Sequence, residues 1–115
     1  MPNPLRILYC HCAYAQVVPA EVKQAVLARL AESGAAFDAV ADLCEMSAKR
    51  DPALAQLASG GPVRIAACYP RAVRGLFTAA DAPLPAEGVE IRNMRAESAD
   101  QVIEALLAGE EEQKD

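Results

Sequence analysis

The sequence predicts an α/β fold of three layers, in which a mostly parallel four-stranded sheet is covered by helices on both faces. Apolar runs of strand length alternate with longer amphipathic stretches along the 115 residues. That alternation favours a parallel sheet, because each helix returns the chain to the edge at which the previous strand began. The first run, "LRILYC", is apolar almost throughout, as expected of a strand buried on both faces. A chain of this length forms one domain.

Eight elements follow in the order strand, helix, repeated four times. The apolar runs predict the strands, and apolar residues repeating at helical spacing predict the helices. The predicted strands cover 5–10, 35–44, 62–68 and 89–94, and the predicted helices cover 19–34, 50–61, 70–80 and 98–108.

Capping residues mark where several of these helices begin and end. Asp51 suits the N-cap of the second helix, and Pro70 suits the first position of the third. Ser98 and Gln101 have the spacing of a capping box ahead of the fourth helix. Gly34 suits the position just after the end of the first helix.

The expected strand order is 2-1-3-4, a flavodoxin- or Rossmann-like arrangement reduced to four strands. We assign residues 1–108 to a single domain, with neither an internal repeat nor a linker. Residues 109–115, "GEEEQKD", are expected to form an acidic disordered tail.

The charge balance and hydropathy exclude two classes of partner. Eleven Lys and Arg against sixteen Asp and Glu give a net charge of −5, whereas binding to phosphate backbones needs clustered cations. No stretch approaches the roughly 20 consecutive apolar residues of a membrane-spanning helix. The start, "MPNPLRILYC", does not resemble a secretory signal. We therefore expect no nucleic acid, no membrane insertion, and a cytoplasmic protein with reduced thiols.

Four cysteines fall where the predicted strands end. Cys10 ends the first strand, Cys12 begins the loop after it, Cys44 follows the second strand, and Cys68 ends the third. The carboxyl ends of parallel strands meet at one edge of a sheet, and ligands of open α/β sheets bind there. The four sulfurs are therefore expected to approach one another from three different connections.

The spacing of these cysteines favours an iron–sulfur cluster over a single ion. Cys10 and Cys12 lie on the same face of an extended chain, and a disulfide between them would be strained. Zinc usually takes its thiolates from Cys-x2-Cys pairs, whereas a 4Fe–4S cluster accepts one thiolate at each iron from more widely separated positions. Zinc on the same four cysteines stays open as an alternative.

The residues around the cysteines also favour an anionic sulfur site. Cys68 directly precedes a helix N-terminus, and two arginines follow it in that helix. Backbone N–H groups and cations stabilise negative sulfur and tune a cluster. The side chains expected to surround the thiolates are His11, Tyr14, Tyr69, Arg71 and Arg74.

Three stretches, "YCHCAYA", "LCE" and "RIAACYPRAVRGLF", resemble the N-terminal domain of the heterodisulfide reductase A subunit family. The resemblance covers roughly residues 5–80 and keeps the order of all four cysteines. It implies a domain of this fold that holds one 4Fe–4S cluster on Cys10, Cys12, Cys44 and Cys68 and passes electrons towards a flavin.

The departures from that family restrict what the resemblance implies. Ala13 replaces a glycine, and Glu45 and Tyr69 replace serines, which alters loop packing without removing a ligand. The chain contains neither a G-x-G-x-x-G flavin fingerprint nor a Cys-x2-Cys-x2-Cys ferredoxin segment. We therefore expect an electron carrier or accessory subunit that has no enzymatic activity on its own. Its partner would be a flavoprotein, or a heterodisulfide reductase-like or hydrogenase complex.

Three other functions remain open from the sequence. The first is a structural or regulatory zinc protein that uses the same cysteines. The second is a thiol redox protein or cysteine-nucleophile enzyme centred on Cys68, because a helix N-terminus activates a thiol. The third is a binding module in the sheet crevice whose cysteines are incidental small apolar residues.

Overall fold

The computed structural model describes residues 6–11, 18–59, 62–85 and 87–107. The predicted acidic tail over 109–115 lies outside these residues. Within the described part of the chain, strands and helices alternate, with one additional helix after the second strand. The elements are β1 (Arg6–Cys10), α1 (Ala20–Ser33), β2 (Asp38–Val40), α2 (Leu43–Ala48), α3 (Ala53–Ser59), β3 (Val63–Ala67), α4 (Pro70–Ala79), β4 (Val89–Asn93) and α5 (Ala99–Leu107).

The four strands form one parallel sheet in the order β2-β1-β3-β4, which confirms the predicted fold class and strand order. β1 lies between β2 and β3, with Cys10 in register with Val40 and Tyr9 in register with Ala66. All four strands run in the same direction, so their carboxyl ends share one edge. We call this edge, formed by the ends of β1–β4 and the residues directly after them, the carboxyl edge.

Alternate side chains of β1 reach the two faces of the sheet. On one face, the Tyr9 hydroxyl donates a hydrogen bond to the Lys23 carbonyl of α1. On the other face, the Cys10 sulfur accepts a hydrogen bond from the backbone N–H of Leu43, the first residue of α2. α1 and α2 therefore cover opposite faces.

The remaining contacts complete the three layers. Arg64 of β3 donates to the Leu106 carbonyl of α5, and α5 also packs against α1. Ser47 of α2 donates to the Leu76 carbonyl of α4 at 2.8 Å. α1 and α5 thus form one layer, and α2 and α4 form the other.

A continuous apolar core joins the layers. The central strands β1 and β3 contribute every residue except the half-buried Arg6 and Arg64, because the helices cover them on both faces. Apolar residues of the five helices supply most of the rest, together with Val18, Ala82 and Met94 from the connections. The largest fully buried side chains are Tyr9, Phe77, Ile7, Leu8, Leu30, Leu43, Leu54, Ile65, Met94, Leu106, Val26 and Val63.

The predicted capping signals are confirmed. Ser98 N–H donates to Gln101 Oε1 at 2.9 Å, and Gln101 N–H donates back to Ser98 Oγ at 3.2 Å, which is the reciprocal pair of a capping box. Asp51 Oδ1 accepts the N–H of Ala53 at the start of α3. Gly34 ends α1 with φ 79°, a left-handed conformation that favours glycine.

The second strand differs from the prediction. The predicted strand over 35–44 shortens to β2, and the chain then enters α2, a helix that the sequence pattern did not indicate. Asp42 causes the change, because its Oδ1 accepts the N–H of Glu45 at 3.2 Å and so caps a new helix. Cys44 consequently lies in the first turn of a helix rather than at the end of a strand.

The described helices offer no candidate for crossing a bilayer, since none of them combines the required length and apolarity.

Candidate functional site

Three of the four predicted cysteine ligands are described, and all three lie at the carboxyl edge. Cys10 is the last residue of β1, and Cys68 directly follows β3. Cys44 lies in the first turn of α2, four residues beyond the end of β2. Because β2, β1 and β3 are adjacent in the sheet, the three cysteines belong to neighbouring connections at one edge.

Cys12, the fourth predicted ligand, and Tyr14 lie outside the described residues. Within the described ranges, no group of three or more His, Cys, Asp or Glu residues is arranged to hold a metal ion. The gathering of four sulfurs around one inorganic group therefore stays a prediction.

The Cys10 sulfur combines burial, which disfavours a free thiolate, with a backbone N–H donor, which favours negative charge on sulfur. Cys10 is only 4% exposed, and its Sγ accepts a hydrogen bond from the backbone N–H of Leu43 at 3.4 Å. An N–H donor directed at sulfur favours the thiolate and, in iron–sulfur proteins, tunes the cluster's reduction potential. Because Cys44 is the residue after Leu43, the start of α2 brings the backbone of a second cysteine close to Cys10.

Cys44 is exposed, and Cys68 is half-buried against the apolar core. Cys68 is followed by Tyr69, the N-cap of α4, and by Pro70 at the first position of that ten-residue helix. The N-terminus of α4 contributes a positive partial charge next to Cys68. The cysteine-bearing edge thus passes from a buried sulfur at Cys10 to a solvent-accessible one at Cys44.

His11 is oriented by a buried tyrosine. The Tyr9 hydroxyl lies 2.8 Å from His11 Nδ1 and 2.9 Å from the Lys23 carbonyl oxygen. The hydroxyl has one proton and the carbonyl only accepts, so both contacts are hydrogen bonds when Nδ1 carries the imidazole proton and donates to Tyr9. In the neutral ring, this arrangement leaves Nε2 as the acceptor nitrogen.

A shallow apolar cavity of about 280 Å³ adjoins this pair. It lies between α1 and the β1–β2 end of the sheet, and its lining includes one polar ring, that of His11. The lining residues are Tyr9, His11, Leu27, Ala39, Val40 and Ala41.

The other side chains predicted near the thiolates lie around the start of α4. Arg71 is exposed, and Arg74 donates from Nη1 to the Pro85 carbonyl at 3.0 Å. Tyr69 is 48% exposed, and the guanidinium carbon of Arg95 lies 4.6 Å from the centroid of its ring. The sequence interpretation missed Tyr9 and Arg95. Tyr9 lies inside the quoted motif but was assigned only to the first strand, and Arg95 lies outside the motifs around the cysteines.

The fold and this edge define an open parallel α/β domain whose carboxyl edge contains cysteines from three connections. Comparison of the chain with protein-family models, curated proteins and solved structures finds no match. The resemblance to the heterodisulfide reductase A subunit therefore stays a prediction based on the three motifs alone.

Proposed function

We propose that the chain is a small iron–sulfur protein in which Cys10, Cys12, Cys44 and Cys68 hold one 4Fe–4S cluster. It would act as an electron carrier or accessory module of a redox complex. The observation that carries this proposal is the placement of Cys10, Cys44 and Cys68 at the carboxyl edge of three adjacent parallel strands, with Cys44 in the first turn of α2. That edge is the usual ligand site of an open α/β sheet.

The chemistry of the described residues fits an anionic sulfur cluster. The ligands would be thiolates, and Cys10 already accepts a backbone N–H from Leu43. A cluster requires one thiolate at each iron, so its ligands need not converge on a single point as they do around zinc. When bound, the cluster would supply one-electron transfer.

The graded exposure of the cysteines suits electron exchange with another protein. Buried Cys10 would exclude water on the core side, whereas exposed Cys44 would leave the opposite side accessible. The electron donor or acceptor would be a separate redox protein, such as a flavoprotein or a heterodisulfide reductase-like or hydrogenase complex. We place this exchange in the cytoplasm, where thiols are kept reduced.

Iron and acid-labile sulfide should be measured after anaerobic purification. The proposal requires close to four of each per chain, with the broad visible absorption of a brown cluster. Stoichiometric zinc without iron would instead support the zinc alternative. Four rapidly reacting thiols without any metal would support the binding-module alternative. Either of these two results would overturn the proposal.

Single Cys→Ser variants then separate a cluster from a reactive thiol. For a cluster, C10S, C12S, C44S and C68S should each lower the iron content, because every thiolate holds one iron. H11N is the matched control, since it changes the residue between two ligands and leaves all four thiolates in place. For a thiol enzyme centred on Cys68, only C68S would remove function.

A further inference from the structure

Beside the cysteines, the carboxyl edge presents a cationic and aromatic patch. We define it as the Tyr69 patch, formed by Tyr69, Arg71 and Arg95. Tyr69 is the large hydrophobic side chain that the described part of the chain leaves exposed, at 48%. Arg71 and Arg95 are exposed as well, and Arg95 stacks on the Tyr69 ring at 4.6 Å.

No carboxylate among the described residues forms an ion pair with the two arginines of this patch. The ion pairs among the described residues involve Arg29, Lys49 and Arg92, and none of them includes Arg71 or Arg95. The two arginines, unpaired with any carboxylate among the described residues, thus carry positive charge near the start of α4 and the end of β4 on a chain with a net charge of −5. Such a local reversal of sign favours an encounter with an anionic surface.

The backbone holds the patch in place before any partner binds. The N–H of Met94 donates to the Ala67 carbonyl at 2.8 Å, which joins the end of β4 to the end of β3. The N–H of Arg95 donates to Asn93 Oδ1 at 2.9 Å, which fixes the turn that carries Arg95. A preformed surface loses less conformational entropy on binding.

We infer that the Tyr69 patch docks an acidic redox protein, with Tyr69 as the apolar contact and Arg71 and Arg95 as the charged contacts. Tyrosine and arginine are enriched at the energetically dominant positions of protein interfaces. Tyr69 directly follows Cys68, so a partner bound here would lie next to a proposed cluster ligand. This inference names the partner class of the proposed function and rests on it.

NMR can test whether anionic molecules bind at the Tyr69 patch, and the measurement does not require a cluster. Hexacyanochromate(III), an inert paramagnetic trianion, should broaden the amide signals of the Tyr69 patch in the ¹⁵N-labelled protein. Oxidised flavodoxin, an acidic electron carrier, should shift the same amides. Footprints located elsewhere, or a thymidine decamer that binds more tightly than flavodoxin, would overturn the inference.

Two charge-matched double variants make the test specific. R71Q/R95Q removes two positive charges from the patch, whereas Q24E/Q56E adds two negative charges at exposed positions on α1 and α3. R71Q/R95Q should weaken flavodoxin binding about tenfold at low ionic strength and less at high salt. Q24E/Q56E should change it far less. If both variants weaken flavodoxin binding equally, the effect depends on net charge and not on the patch, and the inference is overturned.

The outcomes distinguish this inference from the proposed function. If the purified protein contains iron and sulfide but neither probe affects the amides of the Tyr69 patch, the cluster proposal stands and the docking surface is rejected. If the probes affect the amides of the Tyr69 patch but the protein contains no iron, the docking surface for acidic proteins stands and electron transfer through a cluster is rejected.

Discussion

The backbone N–H of Leu43 donates a hydrogen bond to the sulfur of Cys10 at 3.4 Å, across 33 residues of sequence. This bond joins the carboxyl end of β1 to the first residue of α2. It depends on where α2 begins, and Asp42 determines that position by capping the helix. The environment of Cys10 is therefore coupled to a capping residue in a different connection.

Replacing Asp42 should destabilise this corner of the fold. Asp42 is 2% exposed, and its Oδ1 accepts the N–H of Glu45. D42A should lower the free energy of unfolding by about 1–2 kcal/mol, because a helix N-terminal N–H loses its acceptor. Urea unfolding gives the stability, and amide exchange at Leu43 reports the local change. D42N keeps an acceptor and should lose less; equal losses for the two variants would contradict a capping role.

Removing the Tyr9 hydroxyl should change the tautomer of His11. The hydroxyl bonds both His11 Nδ1 and the Lys23 carbonyl, and it holds the imidazole proton on Nδ1. In Y9F that constraint disappears, so the neutral ring should shift towards the Nε2–H form. Imidazole ¹⁵N chemical shifts measure the two forms directly. Unchanged shifts in Y9F would show that the hydroxyl does not select the tautomer.

Breaking the capping box should destabilise α5. The two side chains satisfy each other's backbone N–H groups, and both residues lie in an exposed part of the chain. S98A should lower the free energy of unfolding by about 1 kcal/mol, whereas S98T keeps the acceptor and should lose little. Thermal and urea unfolding check the difference. A stability of S98A equal to that of S98T would exclude a net contribution from this cap.

The central strand should tolerate truncation less than the edge strand. Ile65 of β3 is 0% exposed, whereas Ile91, its neighbour in register on β4, is half-buried. I65A should lower the free energy of unfolding by about 2–5 kcal/mol, because the lost methyl and methylene groups leave a cavity. I91A removes the same atoms from a less buried position and should lose clearly less. Urea unfolding of both variants measures the two losses. Equal losses of stability would contradict the assigned burial.

The element order and the strand order followed from features that act over a few residues. Apolar runs placed the strands, and the cap formed by Ser98 and Gln101 placed the start of α5. Right-handed connections between parallel strands then restricted the topology to few arrangements. The predicted end of the second strand was wrong. Its alanines fit a strand or a helix, and the sequence alone did not show that Asp42 caps a helix. The same local features put Cys10, Cys44 and Cys68 near strand ends, but they left the distances between sulfurs undetermined.

The contacts that shape the site came from packing between elements distant in sequence. Leu43 reaches Cys10 across 33 residues, and Tyr9 reaches Lys23 across 14. The stacking of Arg95 on Tyr69 likewise joins two separate connections at the carboxyl edge. Hydrophobic periodicity specifies which face of an element is buried, whereas the partner of a polar group depends on how neighbouring elements are aligned. That alignment is settled only when the layers pack, because close packing selects one relative position for each pair of elements.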